Sequence, residues 1–237
     1  MGVRGRTRID GALPRIDRRL YGRAMAADPT VLTTPERLLA ATERLVVREG
    51  VHALSVRRIA TEAGVNSALV RYHFGDTDGL LRELALRNGA CIADARTALL
   101  DGAREGADFD ALVDALVLPL FVGAAMDPQF RAIVVLDEIF SRAEPALHDE
   151  IWALFADGVA CVTASLGDCM SGADRTELAW RIRFVTAAAL DIPPRSTTGR
   201  TSPERERSAA RGAYGTNEAA ERLDRFRNFA RAALQLP

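Results

Sequence analysis

The run Ser55-Val56-Arg57-Arg58-Ile59-Ala60-Thr61-Glu62-Ala63-Gly64-Val65-Asn66-Ser67-Ala68-Leu69-Val70-Arg71-Tyr72-His73-Phe74-Gly75 constrains this chain more than any other feature. It reads as two short helices joined by a tight turn. Ser55 is an N-cap, and Val56, Ile59, Ala60 and Ala63 recur at helical spacing on one inner face. Gly64 is a stop of the left-handed type. Asn66 or Ser67 caps the next helix, which runs to about His73, and Gly75 with Asp76 breaks the chain again. Small residues at the crossing, a glycine at the turn and a polar, aromatic second helix are the build of a helix-turn-helix that reads DNA.

The outward set follows from that geometry. Val65 and Val70 anchor the second helix, which leaves Asn66, Ser67, Ala68, Leu69, Arg71, Tyr72 and His73 as the contact surface. Arg71 suits guanine or a phosphate, and Tyr72 and His73 can donate to phosphate oxygens. Ala68 and Leu69 offer apolar contact to a thymine methyl. Ser55 and Arg57 start the preceding helix, where free backbone N–H groups accept a phosphate. A lone His is usually structural, but His73 ends an exposed polar helix, and DNA contact is the better reading. Phe74 is expected to pack on the following helix. Tyr72 is expected to pack its ring there with the hydroxyl outward.

Charge supports a polyanion-binding head. Residues 1–75 carry 13 Arg against 7 acidic residues, whereas residues 76–237 carry 18 Arg against 25. A few arms and loops could also produce this skew. All 31 basic residues are Arg, whose planar fork binds phosphate and guanine in a bidentate way. Cys91, Cys161 and Cys169 show no metal-type pairing and read as reduced, mostly buried thiols of a cytoplasmic protein. The longest apolar run, Ala115 to Met126, is too short to cross a bilayer, and residues 1–24 do not resemble a signal peptide. No membrane partner, metal or cofactor is expected. An enzyme is a poor rival. There is no Gly-rich phosphate loop and no nucleophile beside a base, and two of the three His (His52, His73, His148) fall in the head.

The rest of the chain reads as all-α. Residues 1–33 are an Arg-rich flexible arm, with Met25 as an alternative start. Thr34, Pro35 and Glu36 open the first helix, with Thr34 as its cap, and Gly50 stops it. Residues 34–80 then form a three-helix DNA-binding domain. Asp76 caps a long helix from about Thr77 to Leu100, and further helices cover roughly 109–125, 128–142, 145–166 and 174–191. Residues 193–216 are rich in Pro, Ser, Gly and Arg and read as a disordered loop rather than a lid. A last helix runs from about Asn217 to Leu236. No stretch alternates, so no sheet is expected. Residues 81–237 form a larger helical domain.

The stretch Leu69-Val70-Arg71-Tyr72-His73-Phe74-Gly75-Asp76-Thr77-Asp78-Gly79-Leu80-Leu81 resembles the Tyr-His-Phe-Gly-Ser-Lys-Glu-Gly-Leu-Leu segment of TetR-family transcriptional regulators. The resemblance extends back through Arg57–Val65 and covers about residues 34–85. It implies a homodimer on a palindromic, double-stranded operator, usually as a repressor, with a C-terminal domain that binds a small-molecule effector. By position, Ser67, Ala68, Leu69, Arg71, Tyr72 and His73 match the family's DNA-facing helix, and Ser55 and Arg57 its supporting contacts. One departure stands out: the family's usual phosphate-binding Lys is replaced by Thr77 between Asp76 and Asp78. A weaker phosphate clamp is expected there, offset by the Arg-rich arm.

In the body, Phe121, Met126, Phe130, Trp152, Phe155 and Trp180 are candidates to line an effector pocket, although most large apolar residues are simply core. His148 and Arg142 are candidates to orient a polar ligand group. Leu178, Ile182, Val185 and Ala189 form one seam, and Ala219, Leu223, Phe226, Ala230 and Ala233 another. The dimer is expected to use Leu178, Ile182, Val185, Leu223, Phe226 and Ala230 in a four-helix bundle; an intramolecular helix pair is the alternative. The segments Glu177–Phe184 and Arg225–Ala230 are similar to TetR-type regulators linked to fatty-acid metabolism, which implies a hydrophobic, acyl-type effector. The same fold without ligand sensing is the second rival.

Overall fold

The computed structural model describes residues 32–103, 108–170, 174–190 and 216–235, the side chains of 103 and 216–220 excepted. The expected arm, apart from its last two residues, and the expected loop, apart from Thr216, lie outside the described residues. Nine α-helices and no strand occur among the described residues. They are α1 (Thr34–Glu49), α2 (Val56–Ala63), α3 (Ala68–Phe74), α4 (Thr77–Ala103), α5 (Phe109–Val117), α6 (Ala132–Phe140), α7 (Pro145–Cys169), α8 (Arg175–Leu190) and α9 (Thr216–Gln235).

The helix ends follow from local chemistry. α1 is capped one residue earlier than expected, by Thr33 rather than Thr34. The Glu36 carboxylate accepts from the Thr33 backbone N–H at 2.8 Å and from its hydroxyl at 2.7 Å, the return half of a capping box. The expected helix 109–125 is cut short by Pro119. Without an N–H, proline cannot continue the ladder, and the chain tightens into a 3₁₀ turn, Leu118–Phe121. The next helix starts at Ala132 rather than 128, since Arg131 is still extended at φ −99° and ψ 133°. Between them lies a short loop closed by two backbone bonds, Ala124 N–H to Phe130 O at 2.9 Å and Ala132 N–H to Val122 O at 3.1 Å.

Two apolar cores hold the helices. The first contains Leu38 and Leu45 of α1, Ile59 of α2, Val70 of α3, Leu80, Leu84 and Ile92 of α4, Leu136 and Ile139 of α6, and Ile151 of α7. The head therefore has no core closed off from the body. The second joins α5, the far half of α7, α8 and α9 through Leu112, Leu116, Val162, Leu166, Leu178, Val185 and Phe226. Ile133 packs against both. By length and composition only, α7 is long and apolar enough to cross a membrane; here it runs along α4, α5 and α8. Of the cysteines, only Cys91 is even half-buried, while Cys161 and Cys169 are exposed. The expectation of mostly buried thiols is corrected, and apolar helix sequence alone did not reveal which face of α7 was outward.

Candidate nucleic-acid interface

The α2–α3 pair is assembled by its caps and its turn. The Ser55 hydroxyl accepts from the Arg58 N–H at 3.2 Å, and the Asn66 side-chain oxygen accepts from the Ala68 N–H at 2.9 Å. Ser67 precedes α3 but makes no side-chain cap. Gly64 lies at φ 64° and ψ 39°, the left-handed region that glycine enters without steric penalty. Arg37 of α1 secures this turn by donating to the carbonyls of Ala63 at 2.8 Å and Gly64 at 3.0 Å. Val70 is fully buried and seats α3 on the core.

Seating Val70 turns the other side of α3 to solvent. Asn66, Ser67, Ala68, Arg71, Tyr72 and His73 are all exposed. Leu69 is half-buried against the first core, and Phe74 packs there as expected. Tyr72 departs from expectation. The residue is 80% exposed, and its ring lies edge-to-face with His73 at 4.9 Å between centroids. The whole side chain, and not only the hydroxyl, is presented outward, because Val70 and Phe74 already fill the inner face.

The arginines of the described head divide by partner. Arg44 and Arg48 both pair with Glu62, at 3.0 and 3.2 Å, and the Arg44 hydrogen bond holds that carboxyl below its usual range. Arg58 pairs with Glu49, and Arg37 is bound to the turn. Arg57 and Arg71 are exposed and have no acidic partner among the described residues. They are the cations left for a polyanion. At the α3–α4 junction the Asp76 carboxylate accepts from the Gly79 N–H at 2.8 Å. That acid is thus committed as the cap of α4, with half-buried Thr77 beside it. A Cβ at Gly79 would lie 2.2 Å from the Phe74 carbonyl oxygen, so only glycine lets α4 follow α3 this closely.

The candidate pocket residues of the body divide between core and surface. Met126, Phe130 and Phe155 pack on the first core, and Phe121 packs on the second. Trp152 and Trp180 are 60% and 50% exposed and do not join them. His148 and Arg142 are exposed, with His148 lying on Phe140 at 4.5 Å. The residues expected at the dimer seam lie inward in the single chain. Leu178, Ile182, Val185, Phe226 and Ala230 are buried inside the single chain, and Leu223 packs beside them. Ala219 lies outside the described side chains. The intramolecular pairing of α8 and α9 uses this seam, and Arg227 fastens α9 to α5 through Asp114 at 2.8 Å. The outward face carries Trp180, Phe184 and Phe229 instead, with Trp180 stacked on Phe184 at 6.0 Å.

One buried polar node had not been foreseen. The Glu43 carboxylate, fully buried, accepts from Asn88 Nδ2 at 3.0 Å and from the backbone N–H groups of Met126 at 3.1 Å and Asp127 at 2.7 Å. Asn88 Oδ1 accepts from the Ala125 N–H at 3.1 Å. The node ties α1 of the head, α4 and the 122–131 loop together, and burial pushes the Glu43 carboxyl above its usual range. A signal was present: Glu43 follows Leu39 by four residues and precedes Val46 by three, which puts an acid on the apolar face of α1. No group of His, Cys, Asp and Glu able to hold a metal occurs among the described residues.

Known proteins agree with this geometry. Residues 38–84 match the family described as bacterial regulatory proteins, tetR family. The HTH-type transcriptional regulator BetI of Vibrio vulnificus (strain YJ016) is 35% identical over 82 residues, 33% of this chain and 41% of that relative; the match thus spans less than half of the relative's length. A TetR family transcription regulator from Marinobacter aquaeolei VT8 shares the fold, with a TM-score of 0.54 at 19% identity over 84% of this chain and 94% of that one. The family match thus covers the head, residues 38–84, and the likeness to the solved regulator is one of fold.

Proposed function

We propose that the protein is a cytoplasmic, ligand-released repressor that binds a palindromic operator as a homodimer. The observation that carries the reading is the exposed face of α3, where Arg71, Tyr72 and His73 stand out from a helix held by buried Val70. A helix so held enters a major groove with its side chains against base edges and phosphates. Thr77 contributes at most one hydrogen bond beside two acids, and Ser55, Arg57, Asn66, Ser67, Ala68 and Leu69 complete the contact set.

The dimer forms through the outward faces of α8 and α9. Trp180, Phe184 and Phe229 make an exposed aromatic face on the two helices, and such a face marks an interaction surface. Two copies meeting there form a four-helix bundle with isologous contacts. The effector is small and hydrophobic, of acyl type, and acts on the head through α4 and the Glu43–Asn88 node. It shifts the equilibrium only by its preference for the state that does not bind DNA.

Footprinting on DNA upstream of the chain's own and adjacent genes tests the reading, together with sedimentation of the complex. A protected, two-fold symmetric site bound by a dimer is expected, with protection lost on adding effector. Protection without symmetry, or by a monomer, overturns the dimeric reading. An operator affinity that no small molecule alters leaves a regulator without sensing.

A further inference from the structure

The body contains a cation that no carboxylate among the described residues answers. Arg131, at the start of α6, donates from Nε to the Leu120 carbonyl at 3.2 Å and from Nη2 to the carbonyls of Leu120 at 2.8 Å and Ala189 at 2.7 Å. Its Nη1 is shut off from solvent and has no hydrogen-bond partner among the described residues. The Phe121 ring adds a cation–π contact, its centroid 4.2 Å from the guanidinium carbon. No carboxylate among the described residues pairs with it. Burial alone acts on the group, holding its pKa down to about 10, so it stays charged at neutral pH.

The half-buried arginines nearby are treated differently by the fold. Arg227 and Arg231 of α9 are paired with Asp114 and Asp110, and the Asp114 hydrogen bond pushes Arg227 up. A buried charge without a counter-charge is strongly destabilising. A guanidinium offers five donors in a planar fork that matches a carboxylate. The surroundings also set the rest of the ligand. Phe121 lies 5.6 Å from Phe226, which lies 5.9 Å from Phe229, so a row of aromatic rings runs from Arg131 to the outer face of α9.

We propose that Arg131 is the head-group site for an anionic effector, an apolar compound bearing one carboxylate, with its ring or chain laid along Phe121 and Phe226. The proposal rests on the reading of the protein as a ligand-responsive regulator and names the class of ligand. It also gives a route to the head. Arg131 closes the 122–131 loop by its bridge to Gly123, and the tip of that loop is hydrogen-bonded to Glu43 of α1. A carboxylate drawing Arg131 from the Leu120 and Ala189 carbonyls moves the loop, and with it the node that positions the head.

Calorimetry on the full chain tests this with benzoate and decanoate as probes, against benzamide and decanamide as uncharged counterparts. At least one acid is expected to bind about tenfold or more tightly than its amide, since a charge-assisted bidentate pair is stronger than a neutral bond. R131Q is expected to bring that ratio near one, and R131K to keep part of it. Equal binding of acid and amide overturns the proposal, as does a ratio that survives in R131Q, or no binding by either acid. If R131Q fails to fold by circular dichroism, the wild-type ratio and R131K decide. Operator affinity measured with the same probes separates the two readings. An Arg131-dependent ratio without release from DNA keeps the site and removes the ligand-released repressor. Release by acids and amides alike does the reverse.

Discussion

α3 and the α8–α9 pair both carry apolar and outward-facing residues at helical spacing, yet only α3 has its exposed side where the spacing places it. In α3 the two faces differ in kind. Val70 is apolar and buried, and Arg71, Tyr72 and His73 are polar and out. In α8 both faces are apolar: Leu178, Ile182, Val185 and Ala189 on one side, Trp180 and Phe184 on the other. Periodicity identifies a helix in both cases. It assigns a face to the core only when the other face cannot go there.

The comparison can be broken at either end. The largest effect is expected from Phe184→Glu, which places a charge in the proposed bundle without touching the protomer core. Sedimentation velocity should show a monomer at concentrations where the wild type is a dimer, and operator binding should be lost. A dimer unchanged by this substitution would move the interface elsewhere. Leu178→Ala probes the inward set of the same helix. It should cost about 2–5 kcal/mol of unfolding free energy, as for other buried leucines, while the native protein still sediments as a dimer.

In the head the contrast is between arginines. Arg71→Ala should weaken operator binding by about 1–3 kcal/mol with the thermal midpoint unchanged, as for a side chain that reads a base or phosphate. Arg58→Ala removes a partly exposed ion pair with Glu49. It should shift stability by under about 1 kcal/mol and leave DNA affinity near wild type in a gel-shift titration. Equal losses for the two would mean that ion pairing in the free protein does not sort the contacts.

The smallest effect concerns Glu43. Its carboxyl is raised by burial from an ordinary 4.5, so the folded state holds the proton more tightly than the unfolded chain. The stability this gives is fully present below 4.5 and is lost as pH rises through the higher folded value. Denaturant midpoints measured from pH 4 upward should fall across that window in the wild type and stay flat in E43Q. A slope that E43Q retains would assign the titration to another acid.

The head was largely legible because its signals are local. Ser55, Gly64, Asn66 and Asp76 each act on backbone groups within three or four residues, and spacing reports such effects directly. Pro119 was equally visible, yet the apolar run around it was read through as helix, since hydrophobicity says nothing about a missing N–H. What escaped was non-local. Glu43 meets Met126 and Asp127 across more than eighty residues, and Arg131 meets Ala189 across 58. No local pattern encodes those pairings. Tyr72 departs from its spacing for a related reason: Phe74 occupies the place at the junction that its ring would need.

The single core that runs from α1 to α7 has a consequence for inheritance. A DNA-binding head with its own sealed interior would confine loss-of-binding alleles to its own codons. Here Leu136, Ile139 and Ile151 share packing with Ile59 and Val70. Interiors packed as densely as crystals transmit strain rather than absorb it. A screen for mutants that no longer hold their operator should therefore recover changes in α6 and the start of α7, far along the gene from any residue that touches DNA.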